Sequence, residues 1–511
     1  MDNTTKNNKR IAKNTLFLYI RMLLLMAVSL YTSRIVLQVL GVEDFGIYNV
    51  VGGVVSILGF FTSSLSNVSQ RYINIGLGKQ NLKEAEQAFR QSFTLMALFS
   101  VILLILGETV GLWFVYNKLI IPSNRLIAAI WVYQFSLISI LSAINQVSLM
   151  GTIVAHEKMN MYAYLGLFEA FARLGIVYLL QICENIDTLI LYGMLMALVS
   201  IIVWLFYAIY CLKNFSECKL KFYWNSPLVK EMSKFAGQNL FGCFAWSAGV
   251  QGTNILLNLF FGPAVNAARA VSVQISNVVT RFSENIMTAV KPQIIKSYAV
   301  GNQEYMITLI EKSSKYAYFF VALLAIPIMI EIEFILNLWL GQVPEYTVIF
   351  ARLVLCETLV GVFISPLWIA ANATGRIKKS QVYGRLFTLS ILPISYLFLK
   401  ILPYPIIPFI LAILANIGYW LYCLYDIHNQ IKLNITNYIK EVIKPAFILS
   451  LTLMLTGIVL IYFTPTDSFQ RFISMALLTI LVAPPTIYIQ LNKQERTELR
   501  MMINKLYHKF K

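Results

Sequence analysis

The run NTLFLYIRMLLLMAVSLYTSRIVLQVL, residues 14–40, decides the fold. It is longer than the apolar core of a signal peptide, and no small-x-small cleavage site follows it ahead of a mature domain. At about 1.5 Å of rise per residue it crosses a hydrocarbon layer of roughly 30 Å as one helix. The basic residues before it, Lys6, Lys9, Arg10 and Lys13, mark its start as the cytoplasmic end of a retained first helix. Thirteen further apolar runs follow, at approximately 45–67, 92–116, 126–151, 161–183, 188–212, 236–261, 264–290, 313–340, 348–371, 382–401, 404–425, 442–463 and 468–491. None alternates polar and apolar as barrel strands do. Helices are the other structure that satisfies its own backbone inside lipid. The expected fold is therefore an all-α integral membrane protein with about 14 transmembrane helices.

Composition agrees with this reading. The 511 residues are 58% hydrophobic and 13% charged, with mean hydropathy +0.69. Soluble domains carry roughly 25% charged residues, so a soluble multidomain enzyme does not fit. The net charge of +17 comes from 41 Lys and Arg against 24 Asp and Glu, and its meaning depends on where the charges fall. Thirty of the 41 lie in or at the edges of segments on the N-terminal side of the membrane, and eight lie within spans. Only Lys118, Arg125 and Lys400 fall on the opposite side, where the loops are acidic: Glu43, Asp44, Glu184, Asp187, Glu345 and Asp467. That asymmetry in short loops is the positive-inside pattern, with both termini cytoplasmic. The positive excess is topological and does not point to nucleic acid.

The layout repeats. The first helix ends at Gly41, a second follows at once, and a basic segment with Gly78-Lys79-Gln80 leads to the third. The seventh likewise ends at Gly262-Pro263, the eighth follows at once, and Gly301-Asn302-Gln303 precedes the ninth. Six spans separate the copies, and an even number makes the repeats parallel, a duplication used by transporters whose halves rock. The expected organisation is a six-helix bundle over 1–212, a second over 213–425, and an extra helix pair with a basic tail over 426–511.

The six cysteines (Cys183, Cys211, Cys218, Cys243, Cys356 and Cys423) show no C-x-x-C spacing. His156, His428 and His508 fall outside the spans, so neither a metal clip nor a histidine proton relay is expected. No cofactor is expected.

Leu-Gly-Val-Glu-Asp-Phe-Gly-Ile-Tyr at 40–48, Ser-Gln-Arg-Tyr-Ile-Asn at 69–74 and the following Gly-Lys-Gln resemble the multidrug/oligosaccharidyl-lipid/polysaccharide exporter superfamily. Within it the chain looks most like the bacterial O-antigen and capsule flippases of polysaccharide and lipopolysaccharide biosynthesis. The resemblance covers residues 1–425, and the extra helix pair is similar to one carried by lipid II flippases and some polysaccharide exporters. It implies a V-shaped pair of bundles in the bacterial inner membrane. These would move a polyprenyl-pyrophosphate-linked oligosaccharide to the outer leaflet by alternating access. The implied partners are that substrate, membrane lipids and the polysaccharide polymerase machinery.

The in-span charges bear on substrate. Eight arginines lie in spans (Arg21, Arg34, Arg173, Arg269, Arg281, Arg352, Arg385 and Arg471) beside six glutamates (Glu108, Glu169, Glu284, Glu331, Glu333 and Glu357). A mid-bilayer arginine costs about 2.5–3.5 kcal/mol or more and needs a partner, a wet cavity or a route to the interface. Glu169 and Arg173 are spaced i,i+4, and Arg281 and Glu284 i,i+3, so each pair can meet on its helix. Arg385 and Arg471 sit near span ends and can snorkel. Spans one and two hold no acidic residue. The resemblance places Arg21, Arg34 and Arg269 at a cleft, where guanidinium matches phosphate or an acidic sugar. With Arg281 they form the candidate substrate-binding set. Arg34 can instead snorkel or pair with Glu43 or Asp44. Glu108, Glu169 and Glu357 are the candidate proton- or sodium-coupling carboxylates. Tyr19, Tyr31, Tyr48, Trp246 and Trp368 could stack on sugars or simply belong to the interfacial aromatic belts. Gln238, Asn239, Gln251, Asn254 and Asn258 could bond glycan hydroxyls or neighbouring helices. A cation-coupled drug exporter fits less well, because its N-terminal helices should hold carboxylates. A lipid II flippase fits the span count. A membrane glycan polymerase or ligase lacks a platform, since the longest outer loop is 117–125.

Overall fold

A computed structural model describes the backbone of residues 2–57, 59, 69, 72–73, 76–77, 81–156, 158–182, 186–374, 376, 380–464, 469–492 and 495–497. Side chains are described from residue 22 onward, except at 159, 234–236, 238–239, 241, 285, 288–289, 292, 296, 299 and 380–381. The side chains of Tyr19, Arg21, Gln238 and Asn239, the loop residues Gln70, Arg71, Asn74, Gly78, Lys79 and Gln80, and Glu184, Asp467 and His508 lie outside the described residues.

Every regular element described is helical. In chain order the longer helices are α1 (Asp2–Ile57), α2 (Leu82–Leu106), α3 (Leu126–Ala155), α4 (Met159–Ile182), α5 (Thr188–Asn214), α6 (Ser226–Phe261), α7 (Pro263–Ala299) and α8 (Gln303–Ile330). Then come α9 (Ile332–Leu340), α10 (Thr347–Gly361), α11 (Ile364–Thr374), α12 (Arg385–Ile401), α13 (Ile407–Ile431), α14 (Lys444–Phe463) and α15 (Phe469–Gln490). Side-chain caps start several of them. The Oδ1 atoms of Asn81, Asn225 and Asn302 accept the amides of Glu84, Leu228 and Tyr305 at 3.2, 3.2 and 3.1 Å. Each cap satisfies an amide that the first helical turn leaves without a carbonyl.

Eleven stretches among the described residues are long and apolar enough to cross a membrane, and the chain is a multi-pass helical membrane protein. The difference from fourteen has two sources. Expected spans one and two are two helices that meet at a kink at Gly41, and the continuous stretch Met22–Ile57 counts their described part once. Expected spans seven and eight are α6 and α7, which are long but polar, with Gln251, Asn254, Asn258, Asn266, Arg269, Asn277 and Arg281.

The two turn glycines share one backbone conformation. Gly41 bends α1 at φ 78°, ψ 171°, and Gly262 separates α6 from α7 at φ 81°, ψ −176°. This region of φ/ψ space is open essentially to glycine alone. Five residues after Gly41, a Cβ on Gly46 would collide with the backbone carbonyl of Pro263. Glycine is therefore what lets α1 approach the start of α7.

The described chain divides into two compact units. Unit 1 comprises Met1–Ala270 and Thr388–Pro408. In it α3 packs along α5, α1 lies against α4, α3 and α6, and α2 packs on α3. Unit 2 comprises Val271–Phe387 and Phe409–Lys511. There α8 packs on α14, and α14 on α15. Tyr318 of α8 stacks on Phe363 (centroids 4.8 Å apart), and its hydroxyl shares a 2.7 Å hydrogen bond with Ser450 of α14. The C-terminal helix pair is thus an integral layer of unit 2.

Candidate substrate-binding and coupling residues

In unit 1 the polar residues of α6 are mostly consumed by helix packing. Asn254 donates through Nδ2 to the Asn49 carbonyl at 3.0 Å. Asn266 of α7 donates through Nδ2 to the Asn254 carbonyl and Oδ1 at 2.6 and 2.7 Å. Asn258 accepts from the Ile120 amide (2.9 Å) and donates to the Ile120 carbonyl (3.2 Å), closing a two-bond ring on the loop before α3. Asn254 therefore fastens helix to helix, the second of the two readings left open by its residue type, and Asn258 fastens α6 to a loop. Arg269, half-buried, donates through one terminal nitrogen to the Val250 carbonyl at 2.8 Å.

Along α1 and α4, Tyr31 and Tyr178 face each other with hydroxyls 3.0 Å apart, and Arg34 stands half-buried one turn beyond Tyr31. Arg173 pairs with Glu169 at 2.5 Å, as the i,i+4 spacing predicts, and the pair remains exposed (45% and 36%). Tyr48 packs on Tyr192 with centroids 4.7 Å apart, so its ring is occupied by protein. Asp44 is engaged elsewhere. Arg125, just before α3, bridges Asp44, three residues after the Gly41 bend of α1, and Asp187 at the start of α5. Asp187 in turn caps α5, its Oδ1 accepting the Leu189 and Ile190 amides at 3.0 and 3.2 Å. Burial pushes the Asp187 carboxyl up, but the Arg125 hydrogen bond and charge and these amides outweigh it and hold it below its ordinary value.

The three candidate coupling carboxylates differ in setting. Glu108 lies on a π-helical turn, Gly107–Gly111, and accepts from Gln134 Nε2 at 3.1 Å. Tyr133 donates its hydroxyl to the Gly107 carbonyl at 2.7 Å, satisfying a backbone group of that widened turn. Glu169 is bound to Arg173. Glu357 of α10, in unit 2, accepts from Asn416 Nδ2 of α13 at 2.9 Å, and the neighbouring Thr358 hydroxyl shares a 2.7 Å hydrogen bond with Ser276.

Unit 2 treats its cations differently. Arg281 and Glu284 both stand exposed on α7. Arg385 does not simply snorkel: its guanidinium lies over the Tyr419 ring, 5.3 Å from the centroid. Arg471 departs furthest from its expected role. It is 5% exposed rather than at the interface, and its guanidinium grips Glu331 at 2.9–3.1 Å through three hydrogen bonds. The opposite charge and the three hydrogen bonds offset the desolvation of both groups. A second buried pair, Lys315 with Glu495 at 2.6 Å, fixes the segment after α15 to α8. Neither cross-helix pair, nor the Arg125 bridge, is legible from spacing, since the partners lie 140, 180, 81 and 62 positions apart. Among the described residues no cluster of three potential ligands could hold a metal.

No protein-family profile and no curated protein sequence matches the chain. Solved structures do. One is a lipid II flippase, MurJ, in an inward closed conformation, with TM-score 0.69, 14% identity, and coverage of 93% of this chain and 98% of that one. Another is an inward-facing multidrug resistance MATE family transporter of the MOP superfamily, with TM-score 0.66, 13% identity, and coverage of 82% and 99%. A MOP superfamily transporter from Pyrococcus furiosus, described by the reverse polarity of its binding pocket, aligns at TM-score 0.59, 14% identity, and coverage of 82% and 96%. Each is described as a transporter or flippase. At these identities the likeness is one of fold: the chain has the fold of the MOP-superfamily transporters, MATE and MurJ among them.

Proposed function

We propose that the chain is a flippase of the bacterial inner membrane, with both termini cytoplasmic. It carries a polyprenyl-pyrophosphate-linked oligosaccharide, the repeat unit of a surface polysaccharide such as O-antigen, to the outer leaflet. The observation that carries this reading is the charge of the first two spans, which hold Arg21 and Arg34 and no carboxylate. Such helices suit an anion and repel an organic cation. Coverage supports a flippase over a drug exporter. The MATE match leaves out a share of this chain about as large as residues 426–511, whereas the lipid II flippase match takes most of it in.

In this mechanism two parallel six-helix repeats, 1–212 and 213–425, alternate access, and the matched conformations of Gly41 and Gly262 support the duplication. Arg21, Arg34, Arg269 and Arg281 bind pyrophosphate and acidic sugar while the polyprenyl tail stays in lipid. Glu108 and Glu357 are better placed coupling carboxylates than Glu169, because Glu169 is already neutralised by Arg173 whereas each of these accepts from a neutral side-chain amide. The polymerase machinery of the polysaccharide would receive the product.

The lipid II flippase match favours a second reading, the peptidoglycan precursor as cargo. One experiment separates them: the gene is expressed in strains depleted of either a surface-polysaccharide flippase or the lipid II flippase. Rescue of surface glycan alone supports the first reading, and rescue of growth in the second strain supports the alternative. Arg21→Ala and Arg269→Ala should each reduce rescue at normal protein level. Full rescue by both would remove these residues from the site.

A further inference from the structure

The segment between α5 and α6, residues 215–225, is an irregular strap that turns at 215–218 and 219–221 and is lashed to α2. The Arg90 guanidinium donates to the Lys221 and Phe222 carbonyls at 3.4 and 3.2 Å. Gln91 Oε1 accepts the Asn225 amide and Thr94 Oγ1 accepts the Tyr223 amide, each at 2.9 Å. Lys219 meets Glu86 at 2.8 Å, and Arg90 lies over the Tyr223 ring, 5.2 Å from its centroid. At its start, Phe215 stacks on His156 (centroids 4.1 Å apart), and Glu217 pairs with the same imidazole.

This lashing sets the strap's depth. The first turns of α2 carry Lys83, Glu84, Glu86 and Arg90, and from Gln91 to Gly107 the chain has no charged residue. The strap is bonded at Arg90, Gln91 and Thr94, where α2 passes from charged to apolar. A passage of this kind from charged to apolar is what a membrane-spanning helix shows at headgroup level. The Tyr223 ring lies beneath Arg90 of α2, and the Asn225 side chain caps α6. Phe222, its ring centroid 6.3 Å from that of Phe93 on α2, stays 70% exposed, and Trp224 is 58% exposed. Lys219 and Lys221 are exposed beside them.

We propose that Lys219, Lys221, Phe222 and Trp224 form an interfacial foot that binds the anionic phospholipids of the cytoplasmic leaflet. Two aromatic rings enter the boundary between headgroup and acyl chain, where amphipathic rings partition well. The two ammonium groups lie against lipid phosphates, and the surface of an anionic leaflet favours each such cation. Glu86 draws on Lys219 from α2, and Glu217 is buried against His156, so Lys221 is the stronger lipid contact. This surface is independent of the cargo, and it would stand if the proposed substrate were wrong.

The test uses the full chain in vesicles of phosphatidylcholine alone or of equal parts phosphatidylcholine and phosphatidylglycerol, doped with either lipid brominated on its acyl chains. Trp224 emission is read as the difference between the unmodified protein and Trp224→Phe. Brominated lipid should quench that difference, with brominated phosphatidylglycerol preferred over brominated phosphatidylcholine. Lys219→Gln with Lys221→Gln should keep the quenching and lose the preference, by about fivefold for each lysine removed. Quenching by aqueous iodide but not by brominated lipid would place the foot in water and overturn the proposal. Equal quenching by both lipids would overturn the anionic selectivity.

Discussion

Two ion pairs, one in each unit, hold charge inside the membrane by opposite means. Glu169 and Arg173 in unit 1 sit one turn apart on one helix and leave the pair open to its surroundings. Glu331 and Arg471 in unit 2 come from the end of α8 and from α15, and protein closes over both. The first pair is local, and its strength is that of an i,i+4 contact. The second joins two segments and removes two charges from any solvent, so neither partner tolerates loss of the other. Unit 2 uses this device twice, adding Lys315 with Glu495, and so fastens its C-terminal helix pair at α8 by charge as well as by apolar packing. Unit 1 keeps Arg34, Arg173 and Arg269 partly uncovered, as unit 2 keeps Arg281 and Arg352.

The comparison can be broken or sharpened by substitution. Arg471→Ala should have the largest effect, about 3–5 kcal/mol, because it strands a buried carboxylate. Thermal unfolding in detergent measures it, and adding Glu331→Leu should recover most of the loss. Lys315→Met should cost less, about 2 kcal/mol, since Glu495 keeps hydrogen bonds from the Tyr316 hydroxyl and the Asn492 amide. Its signature is faster hydrogen exchange at 492–497.

Arg125→Ala should cost about 1 kcal/mol, as its bridge to Asp44 and Asp187 is only partly buried. This contribution depends on pH with a definite sign. The folded Asp187 carboxyl titrates below its ordinary value of 3.8, so its stabilisation is complete above that value and fades as pH falls through the lower folded value. Asp44, the other arm of the bridge, is held above 3.8 by burial and protonates first, so the stability gap between Arg125→Ala and the unmodified protein should be constant at neutral pH, begin to shrink above 3.8 and shrink further below it. Arg173→Gln should have the smallest effect, about 0.3–0.5 kcal/mol. A loss as large as that of Arg471→Ala would show that Arg173 is buried by something in the bilayer and would erase the contrast.

Some of the polar chemistry could be read from spacing and some could not. The Glu169–Arg173 pair follows from i,i+4 geometry, and the turn glycines announce themselves by position, Gly262 by the proline behind it. By contrast, Asn254, Asn258 and Asn266 have residue types that fit a sugar site equally well, and only their contacts with Asn49, Ile120 and each other assign them to packing. Arg471 looked like an interfacial residue because it lies near the end of an apolar run. Depth along a helix is a local property, but which neighbour covers a side chain is not.

The chain's amino-acid order by itself determined the membrane solvent, the helical class and the glycine turns. Hydropathy and backbone permissiveness are sums or properties of contiguous residues, and they survive whatever the helices do next. Tertiary structure alone decided which cations are neutralised: Arg471 by Glu331, Arg125 by Asp44 and Asp187, Lys315 by Glu495. Those pairings depend on how each helix is rotated about its axis and which distant segment packs on it. That is set by the interlocking of many side chains at once, not by any one stretch of sequence.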